Sequence, residues 1–254
     1  MGSIDEERSE IFEASPALFD ALLSKTSRHV IKSLAGRWRK PVENEVYSAA
    51  AFFYRKFFMQ NTPAQFCPEK ALLACFNLAC KTEESHTVSL KDLISEDFPL
   101  SQEEAVEFEL GIFQATNFDL CIDQPWPIAL FYSSRLHERG QVEQAQTFFN
   151  VSCDAIGAWQ WTDAVLVFSF PQLAVAACLK AAIEVGVYET VAELMIELVG
   201  SVSEVTELVN RIQDVASRHG KSDSSEVEEF SRRCRILREG EKLEKRPRRG
   251  SIAK

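Results

Sequence analysis

Lys81 closes a ten-residue run, Ala71 to Cys80, that contains no charged side chain. A lysine seldom ends such a run unless its ammonium group has a fixed destination, so Lys81 reads as an oriented polar contact. Residues suited to catalysis are not gathered anywhere in the chain. The four His (29, 86, 137, 219) lie far apart, with no H-E-x-x-H and no Cys/His spacing that suits zinc. There is no phosphate loop, no G-x-G-x-x-G, no G-x-S-x-G elbow and no D-D-x-x-D box. Each His reads as a surface or partly packed side chain. No cofactor or metal is implied, and catalysis by this chain alone is not expected.

The elements that position Lys81 come from a duplication. Pro68-Glu-Lys-Ala71-Leu-Leu-Ala74-Cys75-Phe-Asn-Leu-Ala79 is echoed by Pro171-Gln-Leu-Ala174-Val-Ala-Ala177-Cys178-Leu-Lys-Ala-Ala182. Counted from each Pro, Ala falls at the third, sixth and eleventh following residues and Cys at the seventh. A duplicated, nearly charge-free helix predicts two similar all-helical repeats, each wrapped around a buried central helix. The copies then diverge, Cys80-Lys81-Thr82-Glu83-Glu84 against Ile183-Glu184-Val185-Gly186. A function that uses those charges therefore belongs to the first half.

The 254 residues accommodate two domains of roughly 100 residues plus tails. Hydrophobic residues make up 46%, enough for a full core. Seven Cys without a C-x-x-C pair, several inside apolar helical patterns, fit buried reduced thiols of a cytosolic or nuclear protein. Ile4-Asp5-Glu6-Glu7 is acidic where a secretory leader needs a basic segment and an apolar run. The longest apolar stretch, 164–183, is broken by Pro171, Gln172 and Lys180, so a soluble protein with no membrane partner is expected. Net charge is −10, but residues 232–254 hold ten Lys/Arg against three Glu, leaving −17 on residues 1–231. So acidic a body would repel nucleic acid.

Helical signals dominate. Residues 1–14 read as a loose acidic arm. Ser15-Pro16 opens a helix to about Trp38, ended by Lys40-Pro41. Others are expected at about 43–60, 68–81, 87–94 and, from the Ser101/Glu104 capping box, 101–115. Phe118 to Pro127 reads as a linker. The second set is expected at about 127–138, 141–158, 171–185, 189–199 and 202–218. After a break at 220–225, Val227, Phe230, Cys234 and Leu237 are spaced 3-4-3, the stripe of an amphipathic helix. The resulting division is an arm (1–14), a first repeat (15–120), a second (121–218) and a C-terminal helix with a disordered basic tail (219–254).

Two five-helix repeats with a small-residue third helix resemble the tandem cyclin fold. Leu78-Ala79-Cys80-Lys81-Thr82-Glu83-Glu84 is similar to the cyclin-box segment L-A-x-K-x-x-E, and Glu109 followed by Phe118-Asp119-Leu120 to the end of the box's fifth helix. Lys40-Pro41, Ala50 to Phe58, and Thr162-Asp163-Ala164-x-Leu166 with Pro171-x-x-Ala174 resemble the transcriptional cyclin H subfamily. The likeness covers about residues 15–218.

The resemblance implies a regulatory subunit that binds and allosterically activates a cyclin-dependent kinase of the CDK-activating type, with no catalytic residue of its own. By match, Lys81 and Glu109 bond backbone groups of the kinase beside the mobile C-helix, and Phe113, Phe118 and Leu120 make apolar contacts with it. On residue type alone, Phe113 and Phe118 equally suit core positions and Glu109 an ordinary helix surface. A RING-finger assembly factor is the further partner implied. Substrates would be kinase activation loops or the RNA polymerase II C-terminal repeats. Thr82 departs from the apolar residue many cyclins place after the Lys, and the M-R-A-I-L docking motif has no counterpart in residues 15–40. Other readings are a cyclin C-like subunit, a general transcription factor B-like scaffold and a tetratricopeptide-type adaptor, although no 34-residue period is visible. Lys245, Arg246, Arg248 and Arg249 suit a nuclear localisation signal, and Ser251 a basophilic-kinase site; a solvated tail offsetting the acidic body is the third reading. Nuclear placement is expected, with the cytoplasm as the alternative.

Overall fold

The structure is a computed structural model that describes residues 16–36, 41–217 and 223–244. The arm 1–14 and the tail residues Lys245, Arg246, Arg248, Arg249 and Ser251 lie outside the described residues. Among the described residues there are twelve helices and no strand. They are α1 (Pro16–Ala35), α2 (Asn44–Gln60), α3 (Pro68–Thr82), α4 (Leu90–Leu93), α5 (Gln102–Ala115), α6 (Trp126–Glu138), α7 (Val142–Trp159), α8 (Ala164–Val167), α9 (Phe170–Val185), α10 (Tyr188–Val199), α11 (Val202–Ser217) and α12 (Ser224–Glu244). None is long and apolar enough to cross a membrane.

The charge-free stretches become the two central helices. In α3 every residue from Ala71 to Cys80 is buried. In α9 the buried set includes Leu173, Ala174, Ala176, Ala177, Cys178, Leu179, Ala181 and Ala182. Alanines on both partners let helices approach closely, and α2 brings Ala49 and Ala50, both fully buried, to the first core. One core runs from Leu23 to Ile112 around α3; the other runs from Trp126 to Ile212 around α9. Burial pushes the Cys178 thiol up to about 12, so it packs as a small apolar group. Helix α9 stops at Gly186, whose φ of +77° an L side chain would adopt only with strain.

Two start signals read differently in three dimensions. The expected helix 87–94 is only α4, because Ser89 and Asp92 form the capping box and the preceding hydroxyls bond elsewhere. The turn α8, after Asp163, has too few residues to show periodicity. The stripe Val227, Phe230, Cys234 and Leu237 is buried in a third small core with Ala21, Leu22 and Ala64, which docks α12 on α1. Lys25 pairs with Glu228 at 2.8 Å on its edge, and the Arg238 guanidinium donates to the Pro63 carbonyl.

The halves meet through polar groups as well as rings. Arg55, on α2, is fully buried. Its guanidinium pairs with Asp20 of α1 and with Asp163 at 3.0 Å, and it donates to Ser24 Oγ at 2.7 Å and to the Trp161 carbonyl. Burial pulls the Arg55 pKa down and the Asp163 carboxylate holds it up. Nearby, Trp126 Nε1 donates to Ser48 Oγ at 3.1 Å, and Ser48 donates to Gln160 Oε1 at 3.0 Å. Phe76 and Trp161 stack with centroids 6.1 Å apart.

A buried charge that loses its partner is costly. Arg55→Met is expected to lower the unfolding free energy by about 3–5 kcal/mol, read from urea denaturation, with Asp20→Asn on the same background recovering part of the loss. A loss below about 1 kcal/mol would show that the cluster does not hold the halves together.

Candidate functional site

Helix α3 ends at the surface with Lys81 in its last turn, and α5 packs beside it. The Lys81 ammonium lies 2.5 Å from Glu109 Oε1. One turn earlier on α3, Asn77 Nδ2 donates to the same oxygen at 2.6 Å. The carboxylate is thus fixed from the core by an amide and from solvent by an ammonium. The Glu109 side chain is only 14% exposed and that of Lys81 56%. A lysine has three donors; with one on Glu109, an exposed and oriented ammonium is presented outward. Asn77 was missed from the sequence, although it is the one amide in the run Ala71–Cys80.

The end of α5 is shaped by strain. Thr116 caps it, its hydroxyl donating to the Ile112 carbonyl at 3.0 Å. Asn117 and Phe118 then adopt φ of +54° and +62°, the left-handed region that side chains avoid. Each such residue costs about 1–3 kcal/mol and persists only where neighbours enforce it. Here the Phe118 N–H donates to the Phe113 carbonyl at 2.7 Å, and the two rings stack at 6.1 Å with planes 5° apart. Phe118 is consequently 71% exposed, which rules out the core position its type also suited. Phe113 and Leu120 are half-buried against the first core.

The sequence-derived residues therefore form two linked pairs. Lys81 meets Glu109, and Phe113 meets Phe118. Glu109 and Phe113 are four residues apart on one face of α5. That face also carries Val106 and Leu110, both exposed and absent from the sequence-derived set. Their signal, i and i+4 apolar residues beside an expected polar contact, was masked by the assumption that apolar helix positions point inward. Leu120 follows in the connection after α5 and packs against the first core.

The loop after Lys81 is anchored too. Ser85 Oγ and Thr87 Oγ1 donate to the two carboxylate oxygens of Glu43 at 2.7 and 2.6 Å. These bonds, Thr87's first, hold the Glu43 carboxyl below its ordinary pKa. Thr82, the departure noted above, turns its hydroxyl to the Ala79 carbonyl at 3.1 Å. His29 lies on α1, His86 in the loop after α3 and His137 at the end of α6. No group of three or more His, Cys, Asp or Glu among the described residues could hold a metal ion.

Comparisons with known proteins bear on this geometry. Residues 39–121 match the family model described as Cyclin, N-terminal domain. Cyclin-H of Xenopus laevis is 24% identical over 185 residues, covering 70% of this chain and 57% of that protein. Cyclin-H1-1 of Arabidopsis thaliana is 22% identical over 205 residues, covering 76% and 60%. The chain thus spans less than two thirds of the length of these relatives. Among solved structures, a chain of the CAK complex of Chaetomium thermophilum shares the fold with a TM-score of 0.68 at 17% identity, over 97% of this chain and 88% of that one. A chain of yeast TFIIK (Kin28/Ccl1/Tfb3) gives 0.61 at 16% identity, over 84% and 92%.

A carboxyl whose folded pKa is depressed stabilises the fold above its unfolded value of about 4.3, and that contribution is lost as pH falls through the lower folded value. Glu43→Gln is expected to flatten the acid limb of the melting temperature against pH while changing the neutral value little. Identical acid limbs in both proteins would show that the clasp on Ser85 and Thr87 carries no such linkage.

Proposed function

We propose that this chain, whose residues 39–121 match the cyclin N-terminal domain, is a cyclin H-like regulatory subunit that binds and activates a cyclin-dependent kinase. The observation that carries the reading is the Lys81–Glu109 pair, fixed by Asn77 and flanked by the exposed apolar residues Val106, Leu110 and Phe118. An oriented ammonium and a held carboxylate can bond backbone groups of a partner, while the apolar flank excludes water and supplies contact area. Lys81, Glu109, Phe113, Phe118 and Leu120 form the kinase-binding surface in this reading, on a first repeat of residues 15–120.

Activation is a population shift. A kinase alone keeps its C-helix turned outward, so that the helix Glu is parted from the Lys that orients ATP. A subunit that binds the inward state more tightly shifts the equilibrium by its difference in affinity. The chain supplies no group to the reacting phosphate. The kinase is of the CDK-activating or transcriptional type, with activation loops or the RNA polymerase II C-terminal repeats as substrates. A RING-finger assembly factor is the third subunit expected, and the nucleus the site of action. Support for this assignment comes from the named relatives and from the cyclin-like fold.

The test is purification of the tagged chain from its own cells, with the eluate assayed for kinase activity. Lys81→Glu with Glu109→Lys is expected to lose the kinase, because disrupting a held charge pair at an interface costs about 2–5 kcal/mol, at least about thirtyfold in affinity. Kinase recovered equally with both proteins would remove this surface from the reading, and none recovered with wild type would remove the function. Phe118→Gly separates binding from folding. It relieves the left-handed strain, so the melting temperature should not fall, yet binding should weaken by about tenfold or more as an exposed aromatic anchor is lost.

A further inference from the structure

The second half carries an open cleft of about 450 Å³ between α9 and α11, remote in sequence from the Lys81 surface. Pro171, Val175, Val205 and Leu208 make it apolar, and the exposed Glu204 and Glu207 stand along it. Arg211 also lines it, with its guanidinium 5.4 Å from the Phe168 ring centroid.

The first half has a corresponding place with a helix of this chain beside it. Aligning Pro68 with Pro171 sets Leu72 against Val175 and Lys70 against Leu173. At the start of α5 the Glu104 N–H donates to Ser101 Oγ, and at the start of α11 the Glu204 N–H donates to Ser201 Oγ. That shared cap sets Glu104, Glu107 and Phe108 against Glu204, Glu207 and Leu208. In the first half, Glu104, Glu107 and Phe108 line a hollow of about 500 Å³ walled by Arg235 and Arg238 of α12. Lys70 holds Glu104 at 2.6 and 2.8 Å, and Pro68, Leu72 and Phe108 are buried.

The second half repeats the apolar positions and the carboxylates, and the one cation that lines the cleft, Arg211, is turned to the Phe168 ring. Leu173 stands where Lys70 does, the lining of the cleft comes from α9 and α11, and Pro171, Val175 and Leu208 are only half-buried. We infer that this cleft docks a basic amphipathic helix of a partner protein, which lays an aliphatic or aromatic side chain on Val175 and Leu208 and sets Lys or Arg against Glu204 and Glu207. The mode is a helix in a groove, with affinity from the apolar anchors and orientation from the carboxylates. An acidic segment or a nucleic acid would meet like charge at the same rim. The site is independent of the kinase-binding surface and survives if that assignment fails.

The experiment replaces Gln172, which lines the cleft, with photo-crosslinking p-benzoylphenylalanine in the full chain, expressed in its own cells, and sequences the adduct. The expected adduct is a segment of another protein with apolar residues at helical spacing and at least two Lys or Arg. Its yield should fall about tenfold with Glu204→Lys plus Glu207→Lys and less with Glu204→Gln plus Glu207→Gln. Both carboxylates are exposed, so the melting temperatures should match wild type and separate lost docking from lost folding. Adducts to this chain's own residues 245–254, to a second copy, or to an acidic segment would overturn the proposal. So would an adduct indifferent to the charge changes, or none at all.

Discussion

Burying one guanidinium decides how the rest of this molecule is arranged. Arg55 cannot leave water without partners, and those partners come from two places: Asp20 and Ser24 on α1, and Asp163 with the Trp161 carbonyl in the corner between α7 and α8. Apolar contact between halves tolerates sliding, whereas a planar fork with five donors accepts only one arrangement. Because α2 carries Arg55 and also packs against α3 and α5, the helices that hold Lys81 and Glu109 are referred to the same fixed point. Helix α1, which carries Asp20, presents Ala21 and Leu22 to α12. The C-terminal helix is thereby tied to the frame as well.

The same logic operates at smaller scale at the surface. A free glutamate and lysine on two helices would gain little from pairing in water. Asn77 changes this by taking up Glu109 Oε1 from the buried side, so the carboxylate is placed before any partner arrives. Phe118 is placed by opposite means, since the chain accepts a left-handed turn at two successive residues in order to hold an aromatic ring in solvent. Preorganisation of this kind lowers the entropy lost when groups so held enter an association.

What could be read from the sequence was the local part of this design. The duplicated Ala/Cys helix, the Ser101/Glu104 capping box and the stripe from Val227 to Leu237 are signals contained within a few turns, and each is found where its spacing put it. Lys81 stood out because its neighbours lack charge. Arg55 did not, because it lies in an aromatic helix whose period leaves room for a surface charge, and its partners are 35 and 108 residues away. Asn77 was passed over for a related reason: a lone amide in an apolar run acquires meaning only when Glu109, 32 residues on, is seen to receive it. Helix α4 came out shorter than expected because Ser85 and Thr87 bond to Glu43, a residue more than forty positions earlier.

The divergence between the two copies of the central helix follows from what each must do with polar groups at its end. At the positions of Asn77 and Lys81, the second copy has Lys180 and Glu184. These two pair with each other along one helix, i to i+4, and so satisfy their charges without reaching a neighbour. In the register of Glu109, α11 offers Val209, a buried apolar residue. The pair thus closes within α9, and Ile183 beside it is simply exposed. In the first copy the lysine must cross to another helix for its partner, and that crossing turns two ordinary surface charges into a rigid feature of known direction. A small-residue helix can be duplicated because its packing is generic; Glu109 where the second half has Val209, with Asn77 behind it, is what holds the Lys81 ammonium between two helices.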